Sequence, residues 1–367
     1  MIFLLLSSFL VSMIVCGLLI RYREWHLSLS GDHDMRGPQK FHQEVAPRIG
    51  GIGIATGYLA AVLVYLFINV AITKSLAFIA LSALPIFIIG ITEDLTKSVS
   101  VKVRLMTALL SGLLFLYFFD IYAIRLDIPL IDTVMGYPIV SIFFLAFAIT
   151  GLSNAYNIID GFNGLASMVA VIATIAILYV ALKVQDPLVI DLAFIIIGST
   201  TGFFIWNFPK GHIFLGDGGA YLIGFLIALA SILLVIRNPS VSPWFAIMVN
   251  AYPIFETMFT IWRRTVHQNR SPGLPDGAHF HSLIYRRIMR WALYRGQPHQ
   301  YLNNAKTSPY LWILSIIGVF PAIVWWNATV ILMFMSILFI VFYVYIYFCI
   351  VVFKTPKIMN SRRRRNE

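Results

Sequence analysis

The sequence predicts an all-α, polytopic integral membrane protein of ten to eleven transmembrane helices. Its N-terminus lies outside, its C-terminus is cytoplasmic, and a polar cleft opens at the cytoplasmic face. Three observations carry this. First, 59% of the 367 residues are hydrophobic and only 12% are charged, against ~25% charged in an average soluble domain. Second, the apolar residues form unbroken runs, and a span needs roughly 20 of them. Third, with the N-terminus outside, every Lys and Arg except Lys74, Arg125, Lys183 and Arg237 falls on the inner side, as positive-inside orientation requires. A soluble globular domain, a disordered chain and an outer-membrane barrel with alternating strands are excluded. The two cysteines, Cys16 and Cys349, both sit in apolar runs, so neither a disulfide framework nor a cysteine zinc site is available.

The elements follow in order. Residues 1–20 are apolar from Ile2 with no Lys or Arg before them, so they read as a retained span, not a cleaved signal. The inner loop 21–49 ends on Pro47-Arg48, a candidate ligand contact. Span 50–71 opens on Gly50-Gly51-Ile-Gly53 and continues to Gly57, a small-residue face for helix packing. Span 76–92 ends on Gly90-Ile-Thr-Glu93-Asp94. Adjacent acids point ~100° apart on a helix, so one suits a metal and the other a phosphate or lysine. A plain charge cluster with Lys97, Lys102 and Arg104 is the alternative. Spans 104–120 and 138–153 come next, and the second runs into Asn154-Ala-Tyr-Asn157-Ile-Ile-Asp160-Gly161-Phe-Asn163-Gly164. Asn154, Asn157 and Asp160, three apart, share an arc of ~120°. C-capping explains Gly161 and Asn163, but not two asparagines on one face of an apolar helix.

Spans 164–182 and 189–206 lead to Asn207, then Gly216-Asp217-Gly218-Gly219, where a new apolar helix begins. Asp217 is either an N-cap or part of a diphosphate site, with flanking glycines admitting backbone N–H groups to phosphate and Asp217 holding Mg²⁺. After span 219–236, span 243–262 carries Glu256 about two turns from its inner end. The cytoplasmic loop 263–308 holds Arg263-Arg264 and Pro275-Asp276-Gly277-Ala-His279-Phe280-His281. Its imidazoles suit a metal, or hydrogen bonds to a sugar or phosphate; with no Cys or third close His, zinc is the weaker reading. Arg286, Arg287 and Arg290 follow on an amphipathic stretch suited to lipid phosphate. Spans 309–326 and 328–353 precede a basic tail, 354–367, whose Arg362–Arg365 run anchors to anionic headgroups; no nucleic-acid partner is expected. No repeat or linker divides residues 1–367, so they form a single membrane-embedded domain. Glu93, Asp94, Asp160, Asp217 and Asp276 thus reach one face from separate segments, an acidic cleft suited to Mg²⁺ with substrate phosphates.

These stretches, from Lys40-Phe-His42 and Pro47-Arg48-Ile-Gly50-Gly51 to His279-Phe280-His281, resemble in order and topology the polyprenyl-phosphate N-acetylhexosamine-1-phosphate transferases. The resemblance is to the WecA-like rather than the MraY-like branch, because the Pro-x-His-His-His-Phe-Glu run is absent. It implies a multi-pass protein of the bacterial inner membrane with a periplasmic N-terminus. The implied reaction transfers a sugar 1-phosphate from a UDP-N-acetylhexosamine to undecaprenyl phosphate, releases UMP and needs Mg²⁺, with Mn²⁺ as a substitute. The product would start O-antigen, capsule or another surface glycan. In the implied site Glu93, Asp94, Asp160 and Asp217 are catalytic, and Asp217 with Asp160 holds the metal. Arg48, Asn154, Asn157, Asn207, Glu256, Asp276, His279 and His281 bind substrate. Glu93 replaces the family's usual Asp, Asn163 replaces a second Asp, and Ser282 replaces a histidine. A muramoyl-pentapeptide donor and a membrane transporter or flippase are the alternatives; a homodimer is compatible with the reading.

Overall fold

The computed structural model describes residues 2–31, 45–267, 279–289 and 305–352. Within them the chain is helical: α1 Ile2–Arg21, α2 Arg23–Ser30, α3 Gly50–Leu66, α4 Val70–Thr96, α5 Val101–Phe118, α6 Pro129–Met135, α7 Pro138–Ile159 and α8 Leu165–Val184. There follow α9 Pro187–Asn207, α10 Gly216–Arg237, α11 Pro243–Val249, α12 Ala251–Trp262, α13 Phe280–Leu283, α14 Ser308–Val324 and α15 Thr329–Val351. Eight of these (α1, α4, α5, α7, α8, α9, α10 and α15) are long and apolar enough to cross a membrane; α3 and α14 are shorter apolar helices. Each of the eleven apolar runs is helical.

Two boundaries differ from the sequence reading. The turn after α3 comes early, at residues 67–69, because the Asn69 side chain accepts the Ile72 amide at 3.2 Å and starts α4 at Val70. The run 243–262 is broken between Val249 and Ala251. Pro253 has no amide to give Val249, and its ring opposes that carbonyl. Asn250 fills the break: its amide donates to the Ala246 carbonyl at 3.0 Å and accepts the Tyr156 hydroxyl at 3.1 Å. Inside α4, Pro85 has no amide to give the helix. The neighbouring Ile86 amide donates to the Ser111 hydroxyl of α5 at 3.1 Å.

Helix α10 is the hub. It is buried nearly from end to end and packs on α3, α4, α7, α8 and α9. Apolar side chains supply most of that core, but at its N-terminal end contact is backbone to backbone. A methyl group on Gly51 would lie 2.4 Å from the Gly219 nitrogen, and one on Gly90 would lie 2.5 Å from the Gly218 Cα. So α3, α4 and α10 meet where only glycine fits. The same logic docks α1: Gly53 and Gly57 of α3, and Gly198 and Gly202 of α9, face its Ser8, Ser12 and Cys16 region. Ser12 there donates to the Ser199 carbonyl at 2.7 Å. The packing role read for the Gly50–Gly57 stretch matches these contacts.

Candidate active site

The ends of α4, α7 and α9 and the starts of α3, α5 and α10 meet at one end of the bundle. Three backbone hydrogen bonds help assemble them. Residues 47–51 run beside 214–215: Phe214 donates to Pro47 at 2.8 Å, Gly50 to Phe214 at 3.0 Å and Gly51 to Leu215 at 3.0 Å. At the turn into α10, Gly216 has φ +74°, and a methyl group there would lie 2.5 Å from an Asp94 oxygen. Glycine is required on both counts.

Asp94 is fully buried, and its two oxygens accept the amides of Asp217 at 2.8 Å and Gly218 at 2.9 Å. A carboxylate from α4 thus caps α10, satisfying two orphan N–H groups and complementing the helix dipole. This corrects the expectation that the Gly218 region offers its amides to a phosphate, because Asp94 already takes them. It also places Asp94 as a brace, not an open base. Arg48 approaches Asp94 at 3.6 Å and Asp217 at 3.4 Å. The other Asp217 oxygen is held by the guanidinium of Arg104, from the first turn of α5. Glu93 is half-buried and accepts the Val99 amide at 2.7 Å, closing the α4–α5 turn.

Opposite these charges lies the polar end of α7. Asn154, Asn157 and Asp160 are all partly exposed, and none has a hydrogen bond to another described side chain or amide through its own side chain. They are the partly exposed polar groups at this end of α7. Asp160 stands in the turn just beyond α7. Burial, then the neighbouring Asp217 charge, pushes its carboxyl up to about 7 against the pull of Arg48. A carboxyl in this position gains from a cation. Two carboxylates with amide oxygens nearby fit a hard ion such as Mg²⁺, which completes its shell with water and phosphate oxygens. Among the described residues no group of three His, Cys, Asp or Glu side chains converges.

Two expected ligand contacts are internal braces. The Asn207 carbonyl oxygen accepts the Gly164 amide at 2.6 Å, and its NH₂ donates to the Ile213 carbonyl at 2.8 Å. Its amide is spent tying the turn after α7 to the loop before α10. Glu256 is buried, and one oxygen accepts His279 Nδ1 and the Phe280 amide, both at 3.1 Å. Its other oxygen accepts the Tyr343 hydroxyl of α15 at 2.7 Å. Both residues were expected at substrate; in the structure the side chain of each is hydrogen-bonded within the protein. His279 stacks on His281, centroids 5.2 Å apart. The His281 ring edges onto Phe162 at 5.5 Å and fills the space beside Gly161, where a methyl group would lie 2.8 Å from Nε2. The histidine pair therefore abuts the Asp160 turn. Asp276 lies outside the described residues, as do Lys40–His42, Arg290 and the tail 354–367.

The sequence reading missed Arg104 as a site residue. Nothing in its local pattern separates it from Lys97 and Lys102, and its partner is 113 positions away.

Comparison with known proteins shows which family the chain resembles. The family model for glycosyl transferase family 4 matches residues 76–235. A Bacillus subtilis (strain 168) protein described as a probable undecaprenyl-phosphate N-acetylglucosaminyl 1-phosphate transferase is 31% identical over 270 residues, covering 72% of this chain and 71% of its own. The undecaprenyl-phosphate alpha-N-acetylglucosaminyl 1-phosphate transferase of Thermotoga maritima is 26% identical, covering 70% and 74% respectively. A phospho-N-acetylmuramoyl-pentapeptide-transferase of Streptococcus sanguinis is 27% identical, covering 68% and 77%.

Proposed function

The chain belongs to glycosyl transferase family 4, and from that premise we propose how its site performs the family's transfer. The protein is a multi-pass membrane enzyme that moves a sugar 1-phosphate onto undecaprenyl phosphate. The donor is a UDP-N-acetylhexosamine, with N-acetylglucosamine the first candidate because the Bacillus and Thermotoga relatives are described by it. A lipid phosphate oxygen forms a bond to the β-phosphorus of the donor, the bond from that phosphorus to the bridging oxygen breaks, and UMP leaves. The lipid diphosphate-sugar so formed would begin O-antigen, capsule or another surface glycan.

The single observation that carries this reading is the cleft itself. Asp160, just beyond α7, lies within electrostatic reach of Asp217 and Arg48, Arg48 and Arg104 both reach Asp217, and Asn154 and Asn157 are partly exposed on the last turns of α7. Phosphoryl transfer asks little of a protein beyond positioning and neutralising charge. Asn154 and Asn157 offer donors and acceptors to the nucleotide and sugar. Asp160 and Asp217 would hold Mg²⁺, which when bound withdraws charge from the diphosphate and steadies the departing UMP. Asp94 and Glu93 fix the α4 end, and His279 and His281 close the cleft against the Asp160 turn. The site end of the bundle carries most of the Lys and Arg, which supports a cytoplasmic cleft in the bacterial inner membrane.

The test is UMP release by purified protein in detergent with undecaprenyl phosphate, Mg²⁺ and a panel of UDP-N-acetylhexosamines. Release that needs both lipid and cation, and is lost in Asp217→Asn, is expected. Release without lipid, or none from folded protein across the panel, would overturn the reading.

A further inference from the structure

We propose that His26 of α2 is a positioning residue, whose ring holds the Arg48 segment in place beside Asp217. The inference rests on the reaction given above and adds to it a residue that acts only through others.

Helix α1 ends at Arg21, and α2 starts at Arg23 after a turn at Tyr22. Leu19 is among the last four residues of α1, whose carbonyls have no partner within their own helix. His26 Nε2 lies 2.9 Å from the Leu19 carbonyl. A carbonyl only accepts, so this nitrogen donates, and Nδ1 is left to accept. Nδ1 meets the Ser30 hydroxyl at 2.7 Å, closer than that hydroxyl's contact with the His26 carbonyl at 3.1 Å. One ring thus caps α1 and clamps the last residue of α2. Helix α2 depends on such a tie. Its eight residues are too few for a helix to be stable alone, and Ser30 is the buried residue along it. Trp25 and Leu29 are exposed.

What the clamp holds is the entry to the site. The Ser30 carbonyl, itself at a helix end, accepts the Arg48 amide at 2.9 Å. Gly31 pairs with Pro47 in an antiparallel bridge. The next residues, 47–51, are those paired with 214–215 ahead of α10. The Arg48 side chain reaches Asp217 at 3.4 Å and Asp94 at 3.6 Å. A line of hydrogen bonds therefore runs from the end of α1, through His26 and Ser30, to the guanidinium on the carboxylate proposed for the cation. Transfer by charge neutralisation is sensitive to such placement: a shift of about 1 Å arising far from the chemistry can cost about a hundredfold in rate.

The experiment uses the full chain in detergent as wild type, His26→Ala, His26→Gln and Ser30→Ala. Hydrogen exchange read by mass spectrometry follows the bonded amides of Arg48, Gly50 and Gly51, with α8 as the control. UMP release gives kcat. His26→Ala should speed exchange over residues 45–51 and leave α8 unchanged, and its kcat should fall about tenfold or more. His26→Gln keeps a donor for the Leu19 carbonyl and should recover part of both. Ser30→Ala breaks only the hydroxyl arm and should fall between, which also covers an alanine variant at His26 that does not fold. In an Arg48→Lys chain, His26→Ala should cost less than it does in wild type, because the guanidinium it positions is gone. Unchanged exchange over 45–51, a rise shared equally by α8, or costs that simply add would make the ring a general support and overturn the inference. Failure of the reaction itself would show separately, as no UMP from wild type, while exchange still reads the clamp.

Discussion

Asp160 is where charge and burial conflict most usefully. Its ordinary value is 3.8 and the folded protein raises it to about 7. Below about pH 4 both folded and unfolded chains hold the proton, so the group contributes nothing. Between about 4 and 7 the unfolded chain releases it while the folded one keeps it, so stability falls as pH rises. Above 7 that penalty is constant. Thermal unfolding without divalent cation should show this decline, and Asp160→Asn should flatten it; an identical profile in the variant would place the shift elsewhere. Added Mg²⁺ should restore wild type above pH 7 and leave the variant unmoved. At this scale the sequence was informative where a role follows from spacing: Asn154, Asn157 and Asp160 share a face because a helix turns every 3.6 residues. It gave no sign of the internal partners that Asn207 and Glu256 find. Polarity in an apolar chain is visible from sequence, but whether it is answered by protein or by ligand depends on partners 43 and 87 positions away.

Helices here are joined by two kinds of contact, with different responses to substitution. The crossing of α3, α4 and α10 is backbone on backbone. Gly219→Ala should cost about 1–3 kcal/mol as overpacking and should lower activity by shifting Asp217, read as a lower unfolding temperature together with a reduced kcat. The helix break at Asn250 lets α12 bring Glu256 under α13, and Tyr343 of α15 completes that joint. Tyr343→Phe removes one charge-assisted hydrogen bond and should weaken the joint by about 1.5–3 kcal/mol. Trypsin should then cut faster within residues 263–308, with the α7 cleft intact and UDP-sugar binding kept. A loss of UDP-sugar binding equal to that of Asp160→Asn would show that the histidine segment does more than close the cleft. The spans were legible because apolar runs must be buried in lipid. The joints between them were not, since a glycine or buried hydroxyl carries no signal of which helix it meets.

Across the whole molecule the charges divide by end. The site gathers at one end, while Asp186 pairs with Arg237 at 2.7 Å, and Arg125 with Asp127, at the other. If the site faces the cytoplasm, a cysteine at exposed Lys97 should resist an impermeant maleimide in intact cells, and one at exposed Lys183 should label, in a Cys349→Ser background. The reverse pattern would invert the orientation. The long separation between Asp94 and the α10 amides it caps, 123 positions, also sets an order of events during synthesis. At roughly 5–20 residues per second, α4 reaches the membrane about 6–25 seconds before its partner helix leaves the ribosome. For that interval Asp94 has none of its later amide donors, and the nascent chain carries a bare acid at the membrane edge. A chain stopped before Gly216 would keep that acid without either amide partner.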